Sequence, residues 1–114
     1  MNNKVLGNYL RICRKRSGLS QREVGFLLGY ADKGQVSRHE RSATAPPLIT
    51  ALGYEAIFRV PISKLFTGIH MSVNESVEIN VAEFEKDLIG RSGKGPVTNI
   101  VAQKLKWLKT RRTP

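Results

Sequence analysis

Apolar residues recur along the chain at intervals of three and four, and no stretch shows the strict alternation of a strand. The first segment, Lys4 to Ser17, places Val5, Tyr9, Ile12 and Cys13 on one face, with Leu6 and Leu10 beside them. Gly18 follows, where a glycine most easily ends a helix. Ser20 begins a second helix. Ser20 and Glu23 have capping-box spacing: the hydroxyl accepts from the Glu23 amide and the carboxylate from the Ser20 amide. Val24, Leu27 and Leu28 make the inward face. Gly25 costs ~1 kcal/mol relative to alanine in mid-helix, so it points to a second helix crossing close by. Gly29 supplies the turn. A third helix runs from Lys33 or Gly34 to Arg41. Pro46-Pro47 opens a fourth, with Pro47 at its first position and Leu48, Ala51, Leu52, Ile57 and Phe58 as its apolar residues. "PISKLF" makes a fifth.

Beyond Gly68 the pattern becomes a narrow stripe: Val73, Val77, Val81, Phe84 and Leu88. "GRSGKGP" interrupts it. Val97, Val101, Leu105 and Leu108 then form a second stripe, flanked by Ile100 and Trp107. The expectation is an all-α fold: a five-helix domain over residues 1–67 and a helical hairpin extension over 68–114.

The third helix is unusual. On a helical wheel Val36, His39 and Glu40 point one way, while Gly34, Ser37, Arg38 and Arg41 point the other and Gln35 lies at the margin. The outward set consists of groups that read base edges. Arginine is bidentate to guanine O6 and N7, and glutamine to adenine N6 and N7. A slim helix with a polar outer face is what a major groove admits.

Charge sharpens this picture. The 114 residues carry a net charge of +10, which favours an anionic partner. Residues 1–67 hold 11 basic and 4 acidic groups, and residues 91–114 hold seven basic and none acidic. Between them, residues 68–90 hold Lys86 against Glu75, Glu78, Glu83, Glu85 and Asp87. No apolar run approaches the ~20 residues of a membrane span, and no apolar leader segment follows the polar Met1–Lys4. Cys13 is the only cysteine, so neither a disulfide framework nor a thiolate metal cage is expected. The expected compartment is the cytoplasm, in association with the nucleoid.

"LRICRKRSGLSQREVGFLLG", "VSRHER" and "YEAIFRVPISKLFTG" together resemble the phage-repressor/Cro-type (Xre-like) helix-turn-helix family. The family's Leu-Arg, second Arg and Gly-Leu-Ser-Gln fall on Leu10, Arg11, Arg14, Gly18, Leu19, Ser20 and Gln21. Its turn glycine falls on Gly29, its Ser-x-x-Glu on Ser37 and Glu40, and its closing Leu-Phe on Leu65-Phe66. The resemblance implies a motif over about residues 21–40, with Gly25 as its small helix-two residue. It implies base reading by Gln35, Ser37 and Arg38, with Lys33 and Gly34 less surely placed. Gln21 is implied at a phosphate, where a helix N-terminus favours an anion. Arg14 and Glu40 are implied as a shielded ion pair. Lys15, Arg16 and Arg41 are further phosphate candidates, set against the plainer reading of a solvated basic face. The chain departs from the family pattern in three places. One extra residue lies between Gly29 and Ser37, which leaves the start of helix three open. His39 replaces an apolar residue, and Arg41-Ser42 replaces the usual ending.

Other features read as structural. His39 is expected to be a half-packed core histidine, Cys13 a small core residue, and His70 to have no special role. "GRSGKG" lacks phosphate-loop spacing and a preceding strand, so it reads as a linker. No nucleophile, base and orienter can be assembled, so the expectation is a non-enzyme without cofactor or metal. The leading function is a DNA-binding transcriptional regulator, a repressor acting as a homodimer on a two-fold operator in double-stranded DNA. The second reading is an antitoxin that binds DNA and holds its toxin, or a co-regulator, through 68–114. The third is a basic membrane-surface or scaffold protein, drawn from "KLKWLKTRR".

Overall fold

The seven helices found in a computed structural model, which describes residues 7–92 and 98–112, begin with α1 (Leu10–Arg16), α2 (Gln21–Leu28) and α3 (Gly34–Glu40). α4 (Leu48–Phe58), α5 (Ile62–Leu65), α6 (Thr67–Ser92) and α7 (Asn99–Arg112) complete the order. The described residues are all-α, with no strand among them. The chain divides into two compact units, residues 1–72 and 73–114, and the division falls inside α6.

α1 begins at Leu10, not Lys4. Val5 and Leu6, assigned to its inward face, lie outside the described residues. Asn8 stands at the start of α1: its Oδ1 accepts from the Leu10 amide at 3.0 Å. Its Nδ2 donates to the His39 carbonyl and the Ser42 hydroxyl, both at 2.9 Å. A side chain that competes for backbone groups in this way favours a helix start over a helix interior. Leu10 is buried, whereas Tyr9 and Ile12 are exposed and Cys13 is half-buried. Of the face expected to be inward, Cys13 packs against the core while Tyr9 and Ile12 do not enter it.

The Ser20–Glu23 capping box is present at 3.0 and 2.8 Å. Hydrogen bonding to the Ser20 backbone amide, with a smaller part from its side chain, holds the Glu23 carboxyl below its ordinary range. Val24 is buried and Leu28 half-buried, but Leu27 is exposed. The close approach inferred at Gly25 is real: Val36 of α3 comes within 3.7 Å of the Cβ position, but the tightest contact is with a turn rather than a helix. A Cβ there would sit 2.9 Å from the Asp32 carbonyl oxygen, in the turn before α3. A closer helix-to-helix approach is at Gly53, where a Cβ would meet Leu28 Cδ2 at 2.6 Å. Gly29, with φ +89°, caps α2 in the left-handed conformation.

The core of the first unit joins Leu10, Val24, Val36, Ala51, Tyr54, Leu65 and Phe66. Tyr54 is central. Its ring stacks on Phe58 and meets Phe66 and His39 edge-on. Pro47 caps α4 rather than occupying its first position. α4 turns Ala51 and Tyr54 inward and leaves Leu48 and Leu52 exposed, against expectation.

In the second unit, Leu88 and Leu108 are buried and Val81, Val101 and Leu105 are half-buried. Val73, Val77 and Phe84 remain exposed, so only part of the expected stripe is used. Arg111 donates to Glu78 at 2.6 Å, and Arg112 pairs with Glu85. The glycine-rich break starts later than its first residue suggests, because α6 continues through Gly90 to Ser92. Residues 93–97, with Val97, lie outside the described residues.

Gly25→Ala is expected to destabilise the first unit by about 1–3 kcal/mol, despite alanine's better helix propensity, because the Asp32 backbone must shift. Gly90→Ala, which meets open space, is expected to leave stability unchanged or raise it slightly. Urea denaturation of both variants checks the contrast.

Candidate nucleic-acid interface

Glu40, at the end of α3, is where three elements meet. Its carboxylate takes the Arg14 Nε–H at 2.5 Å and the Arg14 Nη2–H at 3.2 Å. It also takes the Gln21 amide N–H at 3.0 Å. Arg14 Nη1 donates to the Leu19 carbonyl at 3.0 Å. The pair is well shielded, with side-chain exposures of 12% for Arg14 and 4% for Glu40. Hydrogen bonding to Glu40 raises the Arg14 pKa, so its charge is secure. The end of α3 is thereby fastened to α1 and to the start of α2.

The opposite side of this bracket faces solvent. Val36 and His39 are buried, while Gly34, Gln35, Arg38 and Arg41 are exposed and Ser37 is half-buried. The side chains of Gln35, Arg38 and Arg41 have no bonded partner among the described residues. Lys33 is the N-cap residue of α3 and not part of its helical face. The Gly34 amide donates to Asp32 Oδ1 at 2.7 Å, which sets the start of the helix at Gly34.

Next to this face lies an open cleft of about 710 Å³, lined by Arg11, Arg14, Lys15, Ser20, Gln21, Arg22 and Lys33. Arg14 is neutralised by Glu40. Arg11, Lys15, Arg22 and Lys33 have no carboxylate partner among the described residues. Four uncompensated cations thus surround the N-terminus of α2, whose free amides also favour an anion. Lys33 joins the cleft to the start of α3.

Of the residues singled out from the sequence, Lys15, Gln21 and Lys33 are brought together here, and Arg14 and Glu40 meet beneath them. Arg16 is not in the cleft; it lines a separate groove with Tyr9 and Lys64. Sequence reasoning gave no phosphate role to Arg11 and Arg22, which the cleft includes. Helical spacing carries that signal, since Arg11 and Lys15 are four apart and share a face, whereas Arg16 lies 100° further round. Gln21 spends one amide hydrogen on Glu40, which leaves the other for a ligand.

His39 is more deeply placed than a half-packed residue, with only 2% of its surface exposed. Its Nδ1 lies 2.8 Å from the Tyr54 hydroxyl. Burial lowers the His39 pKa and raises that of Tyr54, so both stay neutral. Among the described residues no group of histidines, cysteines and carboxylates could hold a metal ion. No helix there is long and apolar enough to cross a membrane. Comparison with protein-family profiles, curated proteins and solved structures finds no match for this chain.

Glu40→Ala leaves a shielded arginine unpaired and frees the Gln21 amide. It is expected to cost about 3 kcal/mol, read as a large fall in melting temperature. An Arg14→Ala/Glu40→Ala double variant is expected to lose much less than the sum of the single losses. A second expectation concerns pH. His39 titrates below its ordinary 6.5 in the folded chain, so the unfolded chain binds more protons just below that value. Stability is therefore expected to be level above pH 7 and to fall as pH drops through 6.5. Glu23 and Glu78, both lowered from 4.5, act only in a more acidic range. Melting curves of wild type and His39→Gln between pH 5 and 8 check this, with the loss expected to vanish in the variant.

Proposed function

We propose that this chain is a sequence-specific DNA-binding protein of the helix-turn-helix class, with the five helices of the first unit in a phage-repressor-like arrangement. Within that class it acts as a transcriptional regulator that represses by occupying an operator. The observation that carries the proposal is the placement of an unpartnered polar α3 face beside a cleft holding four uncompensated cations. Gln35 and Arg38 supply base-reading groups in the major groove, with Ser37 beside them. Arg11, Lys15, Arg22, Lys33 and Gln21 supply phosphate contacts, which fix register without reading sequence. Arg41, at the far end of α3, reaches the backbone on the other side.

The membrane-surface reading draws less support. Two of the cations in its basic stretch, Arg111 and Arg112, are paired with Glu78 and Glu85.

Selection of bound duplexes from a random DNA pool tests the proposal directly, since enrichment of one motif is expected. On that motif, Arg38→Ala should cost ~1–3 kcal/mol per half-site and relax preference at one base pair. Lys15→Ala should weaken matched and scrambled duplexes by similar factors and reduce the magnitude of the salt slope by ~1. Gln21→Ala should also weaken both equally but leave the salt slope unchanged. Equal loss on both duplexes for Arg38→Ala makes Arg38 a backbone contact and refutes its base-reading role.

A further inference from the structure

The surface of the first unit has a second concavity, away from the basic cleft. Its volume is about 320 Å³, and it is lined by Tyr9, Ile12 and Cys13 of the α1 segment and by Val60, with Arg16 and Lys64 contributing charge. Tyr9 and Ile12 are roughly half exposed, so their apolar surface is open to a partner. Neither Arg16 nor Lys64 has a carboxylate partner among the described residues. The groove therefore presents an apolar floor with two free cations, a surface suited to an apolar side chain carried between carboxylates.

The chain carries that complement itself. α6 is the one acidic segment of a molecule with net charge +10. Glu78, Glu85 and Asp87 are already paired, with Arg111, Arg112 and Arg91. Glu75 and Glu83 have no bonded partner among the described residues. These two are spaced four residues either side of Ile79, so all three share one face of the helix. Ile79 is 59% exposed. Leu88, the buried residue of α6, lies nine residues on from Ile79 and so about 180° round the helix, which leaves the Glu75–Ile79–Glu83 face clear of the packed side.

We infer that two copies of the chain pair reciprocally, with Ile79 of each seated in the groove of the other and Glu75 and Glu83 against Arg16 and Lys64. Electrostatics selects a second copy as the occupant. Two molecules of charge +10 repel through most of their surfaces, and like charges brought together across an interface are costly. An acidic face on a basic groove is the contact that reverses the sign. Reciprocity closes the assembly at two, since the groove of each copy meets the helix of the other. The pairing draws on no residue of the basic cleft except through the shared α1, so it stands or falls separately from DNA binding.

Two charge-reversed forms of the full chain test the pairing by sedimentation equilibrium at low salt, with circular dichroism to confirm that each is helical. One carries Arg16→Glu and Lys64→Glu; the other carries Glu75→Lys and Glu83→Lys. Wild type is expected to dimerise, and the dimer to weaken as salt screens the pairs. Each reversed form alone should dimerise on the order of a hundredfold more weakly. An equimolar mixture should recover a one-to-one dimer, because both grooves then meet helices of opposite sign. Recovery also shows that neither form had simply lost its fold. A monomeric wild type, undiminished dimerisation of either reversed form, or a mixture that stays monomeric overturns the inference. It is equally overturned if Ile49→Asp, on the exposed side of α4, separates the copies while the charge reversals do not.

Discussion

Glu40 accepts hydrogen bonds from two helices while its own helix presents polar groups to solvent, and the arrangement of the first unit follows from that position. A shielded carboxylate needs its charge and lone pairs matched. Arg14 matches the charge and Gln21 supplies a further donor, while Arg14 also donates an N–H to the Leu19 carbonyl. α3 has seven residues, too few for an isolated helix to hold in water. Only Val36 and His39 anchor it in the core. The bracket at Glu40 fixes the orientation that those two contacts alone would leave loose. An outer face free of packing duties is the consequence, and on that face Gln35 and Arg38 stand exposed.

The buried His39 extends the same bracket toward α4. An apolar residue here would fill space but could not bond to Tyr54. The His39–Tyr54 contact at 2.8 Å joins α3 to the central aromatic of the core, and Asn8 holds the His39 carbonyl from the α1 side. The polar atoms are buried but satisfied; no buried side-chain nitrogen or oxygen among the described residues lacks a partner. Such a network specifies one arrangement more sharply than an apolar contact of the same size, because a shifted packing would strand its donors. Its counterpart is sensitivity to acid, since a protonated imidazole cannot be hydrated there.

What was legible in the sequence is what depends on neighbours along the chain. The capping box is a three-residue event, and both of its bonds form. The α3 wheel separates Val36, His39 and Glu40 from the exposed residues because a short, mostly polar helix gives periodicity a clear contrast. Where contrast was absent, reading failed. α4 is apolar on every side, so nothing local distinguishes Ala51 and Tyr54 from Leu48 and Leu52. Which face turns inward is decided by α2, through Leu28 against Gly53, and by His39 reaching for Tyr54. In α1 Leu10, beside the nominal apolar face, is the fully buried residue; of that face Cys13 packs against the core and Tyr9 and Ile12 stay exposed. Gly25 illustrates a partial success: a missing side chain shows that something comes close, but not that it is the Asp32 carbonyl.

The basic residues of α1 show why net charge alone says so little about a site. Arg11, Arg14, Lys15 and Arg16 look like one patch in the sequence, yet a helix turns 100° per residue and distributes them. Arg11 and Lys15 face the cleft, Arg14 is consumed by Glu40, and Arg16 faces a different groove beside Lys64. A seven-residue helix thus contributes to a basic cleft, a structural pair and a separate surface. A net charge of +10 draws anions from a distance, within the reach that salt allows. At contact range, cations that no carboxylate has claimed decide where an anion can rest, and in the first unit four of them, Arg11, Lys15, Arg22 and Lys33, gather around the start of α2.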